Sequence, residues 1–345
     1  MTPELPEQTT DTNVGVPESQ AYAFLEHWSL EKAHVSLAAH RENSVYRVDT
    51  PQGRSYALRI RRVGYRTDSE LISELDWMTM LAKKGLRVPL PVAASDGSRM
   101  VCIGKDRADL VTWLNGKAIG ASGESLTLSE ATNTFRTLGK TAARLHLLSD
   151  QWTMPAGFNR PRWDSDALFG ESPLWGRFWD CAELSQSDAG LFTRFREAAS
   201  KALNSLHDAL DMGLIHADLV RENVLVDSAD PSAVALIDFD DGVFGYRLFE
   251  IATALVKNVN EPQYPAIRDA LIEGYRELRP MNTSGLDLFM ATRAATYVGW
   301  SAARLSEPGG QARFDRVTRA ARDAASHWLS TSQYAFYQRP RWLTP

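Results

Sequence analysis

Apolar and polar positions keep a short period in the first third of the chain. Val35-Ser36-Leu37, Ser44–Val48 and Tyr56–Ile60 read as strands. The last two alternate and are joined by Pro51-Gln52-Gly53, which predicts a hairpin. The period then lengthens. Thr67-x-x-Glu70 is a capping box, Leu71, Leu75 and Met78 form an apolar stripe, and Gly85 suits a C-cap, so a helix is expected there. Met100–Gly104 and Ala108–Leu114 return to strand character. Thr127-x-x-Glu130 predicts a helix whose stripe is Phe135, Leu138, Ala142 and Leu145. A second long helix is expected from Leu191 to Met212, stopped by Gly213. Asn223–Val226 and Val234–Ile237 read as short strands, Gly242, Gly245 and Tyr246 as a tight turn, and the chain after Arg247 as mostly helical. The fold class is therefore α+β. A flexible tail is expected over 1–16, a small sheet-based lobe over 17–111 and a larger helical lobe over 112–345.

Candidate chemistry concentrates between Leu214 and Asp241. His216-x-Asp218-x4-Asn223 is followed by an apolar run and then Ile237-Asp238-Phe239-Asp240. This is the spacing of a phosphoryl-transfer catalytic loop and its metal turn. Such transfer needs an aligned nucleophile and neutralised phosphate charge more than covalent help. Asp218 can accept or orient a hydroxyl proton. Asn223 and Asp238 offer hard oxygens to Mg²⁺ from the ends of two converging strands.

Composition adds limits. The chain has 345 residues, 44% hydrophobic and 23% charged, which describes a globular protein able to build a core without disulfides. A net charge of −5 speaks against nucleic acid as a partner. No apolar run reaches membrane-span length, so no membrane partner is expected. Cys102 and Cys181 fit no metal spacing and suit a reducing cytoplasm, and the acidic, polar start is unlike a signal peptide.

The chain resembles the aminoglycoside phosphotransferase, choline kinase and type II homoserine kinase superfamily. The likeness rests on His216-Ala217-Asp218-Leu219 with Asn223 and on Ile237-Asp238-Phe239-Asp240-Asp241. Tyr56–Ile60, Glu74 and Trp113-Leu114-Asn115-Gly116 support it. The resemblance implies a bilobal protein-kinase-like fold, ATP and Mg²⁺ as cofactors, and transfer to a hydroxyl of a small molecule. It makes Asp218 the base or orienting residue, Asn223 and Asp238 the metal ligands, and Glu74 the helix carboxylate that holds the third-strand cation. Thr112, Trp113 and Leu114 become the adenine-reading hinge.

Two departures stand out. The family's third-strand Lys is Arg59 here, which keeps charge but changes geometry. Ala39–Ser44 has no glycine, so the Ser44 hydroxyl and backbone N–H groups would cover the phosphates unless Asn43 and Ser44 are plain turn residues. Glu250 falls where relatives carry Asp and is expected to brace the catalytic loop. His146 is read as a satisfied core residue.

The acceptor site is expected in the Trp- and Arg-rich stretch from 158 to 180. Arg160, Arg162, Arg177 and Arg247 suit a carboxylate. Trp163, Trp175 and Trp179 suit a cationic ammonium, or else anchor helices. Asp240 or Asp241 and Tyr246 are further candidates. An acceptor of the homoserine type comes first, with an amino sugar or choline next. A protein Ser/Thr kinase and a nucleotide-binding pseudokinase stand as alternatives. No Ala-Pro-Glu ends an activation segment after Asp238, which disfavours the protein kinase.

Overall fold

The computed structural model describes residues 16–40, 43–121, 124–126, 130–206, 210–227 and 233–337. The chain divides into two compact units. One holds the chain up to Ala82 together with Val88–Leu114; the other holds Lys83–Arg87 and the chain from Asn115 onward.

The first unit is an antiparallel sheet with two helices. Strands β1 (His34–His40), β2 (Ser44–Asp49), β3 (Ser55–Arg61), β4 (Pro91–Val92), β5 (Val101–Ile103) and β6 (Asp106–Thr112) run in the order β1-β2-β3-β6-β4, with β5 also on β6. The β2–β3 pairing sets Arg47 opposite Ala57, as the Pro51-Gln52-Gly53 turn predicts. Helix α1 (Glu18–Leu25) was not foreseen: its Ala21, Phe24 and Leu25 close the core over Val35, Val48, Leu58 and Leu110. Helix α2 (Asp68–Lys83) starts at the expected capping box. Thr67 N–H donates to Glu70 Oε2 at 2.8 Å, and Glu70 N–H returns a bond to Thr67 Oγ1 at 3.3 Å.

The second unit is mainly helical. Helix α3 (Ala131–Asp150) buries Phe135, Leu138, Ala142 and Leu145. Its expected start at Thr127 lies outside the described residues. Strand β7 (Lys117–Ala118) pairs with β10 (Val224–Val226), which pairs with β11 (Val234–Leu236). A second small sheet holds β8 (Arg162–Trp163), β9 (Met212–Ile215) and β12 (Val243–Tyr246) in the order β8-β12-β9. Helices α4 (Ser165–Phe169), α5 (Gln186–Leu206), α6 (Arg247–Val256), α7 (Tyr264–Arg276), α8 (Leu286–Ala302) and α9 (Gly310–Tyr337) complete it.

Two expectations need correction here. The long helix ends at Leu206, and Met212–Ile215 is a strand paired with Val243–Tyr246, so Gly245 and Tyr246 lie in a strand while Gly242 closes a turn onto the Phe239 carbonyl at 3.0 Å. Gly213 is not a C-cap. A Cβ there would lie 2.0 Å from Arg247 Nη2, so glycine serves close approach. The same logic joins α3 to α7, where a Cβ on Gly139 would meet the Leu271 carbonyl at 2.0 Å and one on Gly274 the Arg136 carbonyl at 2.0 Å.

Candidate active site

The catalytic stretch of the second unit is built from a hairpin and two braces. Val224 lies opposite Leu236 in the β10–β11 pair, and Ile237 N–H donates to the Asn223 carbonyl at 3.0 Å. This pairing carries Asn223 and Asp238 to one end of the hairpin, because Asp238 is the residue after Ile237. His216 Nε2 bonds the Ile237 carbonyl at 2.9 Å and ties the loop to that turn. Below, Glu250 takes His216 N–H on Oε1 and Ala217 N–H on Oε2, both at 2.7 Å. The grip has a purpose, since Ala217 stands at φ 66°, a left-handed conformation that a β-carbon disfavours. Burial pushes the Glu250 carboxyl upward, opposed by His216 and the two N–H groups.

Asp218 is held from both sides. Asn223 Nδ2 donates to its Oδ2 at 2.8 Å and to its carbonyl at 2.9 Å, and Arg293 Nη2 donates to Oδ1 at 2.7 Å. The amide nitrogen of Asn223 is thereby engaged, while its oxygen accepts no hydrogen bond among the described residues. That oxygen and the exposed Asp238 carboxylate fit a hard cation of the Mg²⁺ type. Among the described residues no three His, Cys, Asp or Glu side chains form a metal cluster. Arg221 is buried and holds Asn258, the Lys257 carbonyl and Glu261 at 2.5–3.1 Å, fastening the loop to the end of α6.

Arg293 is the residue that the sequence reading missed. It is fully buried on α8, ion-paired to Asp218 and bonded to the Tyr297 hydroxyl at 3.0 Å. Its guanidinium carbon lies 4.4 Å from the Trp175 ring centre, 4.3 Å from Tyr297, 5.5 Å from Phe249 and 5.8 Å from Trp163. Burial raises the Tyr297 hydroxyl pKa, against the pull of Arg293 and Lys257. A signal was present in the chain: Arg293 is the single cation in the apolar run of α8, four residues before an aromatic.

The other expected acceptor residues fall into two groups. Trp163 and Trp175 lie 4.9 Å apart, tilted by 59°, beside the Arg293 guanidinium. Arg162 is exposed, 3.8 Å from Asp164, and Asp241 is half-buried beyond the metal turn. The rest have structural work. Arg160 is buried and donates to the carbonyls of Phe239, Asp240 and Gly242 at 2.6–3.2 Å, which shapes the metal turn. Arg247 is buried against Asp150 and Asp211, so its charge is already matched. Arg177 pairs on the surface with Glu171 and Asp180, and Arg196 covers the Trp179 ring at 4.0 Å. Tyr246 is buried against Phe289, and burial raises its hydroxyl pKa. His146 is a core residue, with Nδ1 bonded to the Tyr275 hydroxyl at 2.7 Å. Its 3.6 Å approach to Glu250 is no ion pair, because burial holds the ring neutral and its pKa far below the usual value.

In the first unit, Arg59 and Arg61 share one face of β3, opposite Asp109 on β6 and beneath Glu74 on α2. Arg59 Nη1 bonds Glu74 at 2.8 Å and Nε bonds Asp109 at 2.7 Å. Arg61 Nη2 bonds Glu74 at 2.9 Å and Nε bonds Asp109 at 2.7 Å. The Arg59–Glu74 pair is thus half of a buried, charge-balanced quartet, and Arg61 and Asp109 were not singled out from sequence. Ser44 is buried, with its hydroxyl on His40 Nδ1 at 2.9 Å, which makes it a strand-end residue with little left for phosphate. Of the expected hinge, Thr112 N–H donates to the Leu90 carbonyl and Trp113 N–H to the Ser55 carbonyl, leaving Leu114 N–H without a backbone acceptor among the described residues.

The fold and this loop-and-turn arrangement define a protein-kinase-like phosphotransferase. The model of the phosphotransferase enzyme family matches residues 34–283, and the chain belongs to that family. It is a small-molecule kinase. The chain is 30% identical to a homoserine kinase of Mesorhizobium japonicum over 275 residues, 77% of this chain and 79% of that protein. It is 28% identical to a homoserine kinase of Neisseria meningitidis serogroup B over 272 residues, 76% of this chain and 79% of the other. Among solved structures, the microcompartment-associated aminopropanol kinase is similar, with a TM-score of 0.79 and 28% identity over 91% of this chain and 98% of that one. Among the described residues no helix is long and apolar enough to cross a membrane.

Proposed function

We propose that this kinase uses ATP and Mg²⁺ to phosphorylate the hydroxyl of an amino acid or amino alcohol of the homoserine type. The observation that carries the reading is the held Asp218 carboxylate, fixed by Asn223 on one oxygen and Arg293 on the other, with Asp238 at the end of the same hairpin. The acceptor oxygen attacks the terminal phosphorus of ATP. The bond from that phosphorus to the bridging oxygen breaks, ADP departs, and the hydroxyl proton leaves through Asp218. A carboxylate with two of its lone pairs occupied still has others to accept the hydroxyl, and its fixed position orients the attack. Asn223 and Asp238 would hold Mg²⁺, which when bound neutralises phosphate charge. Arg59, aligned by Glu74, is the cation proposed for the nucleotide phosphates, and Leu114 offers the free hinge N–H. The homoserine kinases and the aminopropanol kinase among the similar proteins support an amino-bearing acceptor.

ATP consumption with Mg²⁺ against homoserine, serine, choline, ethanolamine and several aminoglycosides tests this. Homoserine is expected to raise turnover, and Asp218→Asn to lower it about 10³-fold with the fold intact. Full turnover in that variant, or stimulation only by choline or an aminoglycoside, would overturn the reading.

A further inference from the structure

We propose that Arg160 is a positioning residue for the metal turn. It holds the backbone that aims Asp238, and so sets the affinity for the divalent cation and not the binding of the acceptor. The inference rests on the metal-binding role proposed above for Asp238 and deepens it.

Three observations carry it. First, one buried guanidinium gathers three carbonyls of the turn. Arg160 Nε donates to the Gly242 carbonyl at 2.6 Å, and Nη2 donates to the Asp240 carbonyl at 2.6 Å and the Phe239 carbonyl at 3.2 Å. Arg160 is 4% exposed. Hydrogen bonds from an ionised donor are stronger than those from a neutral one, and the planar fork fixes several directions at once. Second, the same stretch closes on itself, because Gly242 N–H donates to the Phe239 carbonyl at 3.0 Å. Third, Asp238 lies between two holds. It stands at φ 66°, a left-handed conformation that a β-carbon disfavours. On its N-terminal side His216 Nε2 bonds the Ile237 carbonyl at 2.9 Å. On its C-terminal side Arg160 grips the turn from Phe239 onward. The exposed Asp238 carboxylate thus leaves a backbone fixed at both ends.

The clamp is itself anchored. Strand β8 starts two residues after Arg160 and runs parallel to β12, with Arg162 opposite Phe244. Phe244 N–H donates to the Pro161 carbonyl at 2.8 Å. Guanidinium and turn therefore ride on neighbouring strands. With Nε and Nη2 spent on the turn, the charge of Arg160 is directed at the metal ligand's support and not at an acceptor carboxylate. Loss of one such supporting partner costs a metal site about 10- to 100-fold in affinity.

Mn²⁺ binding to the whole protein with AMP-PNP present tests the inference, read from the electron paramagnetic resonance signal of the free ion. The Mg²⁺ dependence of turnover runs beside it, with Asp238→Asn as the reference. Arg160→Lys keeps the charge but brings one nitrogen where the guanidinium brings two. It is expected to bind Mn²⁺ about 10-fold more weakly and to need about 10-fold more Mg²⁺ for half-maximal turnover. Most of the lost turnover should return at high Mg²⁺, and KM for the acceptor should not move. Arg160→Met, without donors, should weaken Mn²⁺ binding by about 100-fold. If Arg160→Met does not fold, Arg160→Lys decides by itself. Wild-type Mn²⁺ affinity in Arg160→Lys, with Asp238→Asn weakened, overturns the inference and leaves the metal reading standing. So does a raised acceptor KM at an unchanged metal constant, which would make Arg160 an acceptor ligand. Wild-type affinity in Asp238→Asn overturns both the metal reading and the inference.

Discussion

Two buried arginine sites in this chain solve opposite problems. In the first unit Arg59 and Arg61 face Glu74 and Asp109, two cations against two carboxylates, joined by short bonds across β3, β6 and α2. In the second unit Arg293 has one carboxylate, Asp218, and aromatic rings where the quartet has further acid. In the quartet each guanidinium meets both carboxylates. The Arg293 site is left open, with three donors unanswered. The first network ties strands β3 and β6 to helix α2, whereas the second fixes the Asp218 carboxylate. Buried polar groups therefore have to be judged by what remains unsatisfied, not by how deeply they lie.

The sharpest way to break this comparison is to remove one carboxylate from the quartet. Asp109→Asn leaves two buried cations on Glu74 and should cost about 3–5 kcal/mol, read as a lower urea midpoint at unchanged slope. An equal loss from Arg293→Met would erase the distinction. That variant leaves Asp218, 22% exposed, without its cation but also removes three donors that have no partner, so a smaller loss of about 1–2 kcal/mol is expected.

A smaller effect isolates the core beneath the catalytic loop. Burial depresses the His146 pKa, so the folded state keeps the ring neutral while the unfolded chain protonates it near pH 6.5. Stability from this residue is present above about pH 6.5 and falls as pH drops, by up to about 1.4 kcal/mol per unit. Between pH 6.5 and 5.5 the wild type should lose about 1 kcal/mol more than His146→Gln, which keeps an acceptor for Tyr275. Parallel pH profiles for the two proteins would show that His146 does not carry this dependence.

Much of the fold was legible because it rests on local chemistry. Thr67 and Glu70 cap α2 through atoms three residues apart, and the Pro51-Gln52-Gly53 turn sets the β2–β3 register. The placing of Asn223 and Asp238 at one end of the hairpin was legible for a similar reason: a short strand follows one and precedes the other. Where reading failed, the partner was distant. Gly213 signals a helix stop locally, yet it is a strand residue because the Arg247 side chain crosses it. Arg160 and Arg247 carry the charge expected of carboxylate binders, but the chain folds carbonyls and aspartates onto them. Arg61 and Asp109 gained meaning only through each other, 48 residues apart.

By itself the sequence determined the reaction class, the loop and turn proposed to carry it, and the alternation of sheet and helix, because each is written in contacts between near neighbours. Tertiary structure alone decided which arginines are neutralised and which remains open beside Asp218. That choice depends on where α8 sets Arg293 against Trp175 and the catalytic loop, because Asp218 and Trp175 lie 75 and 118 residues away from it along the chain.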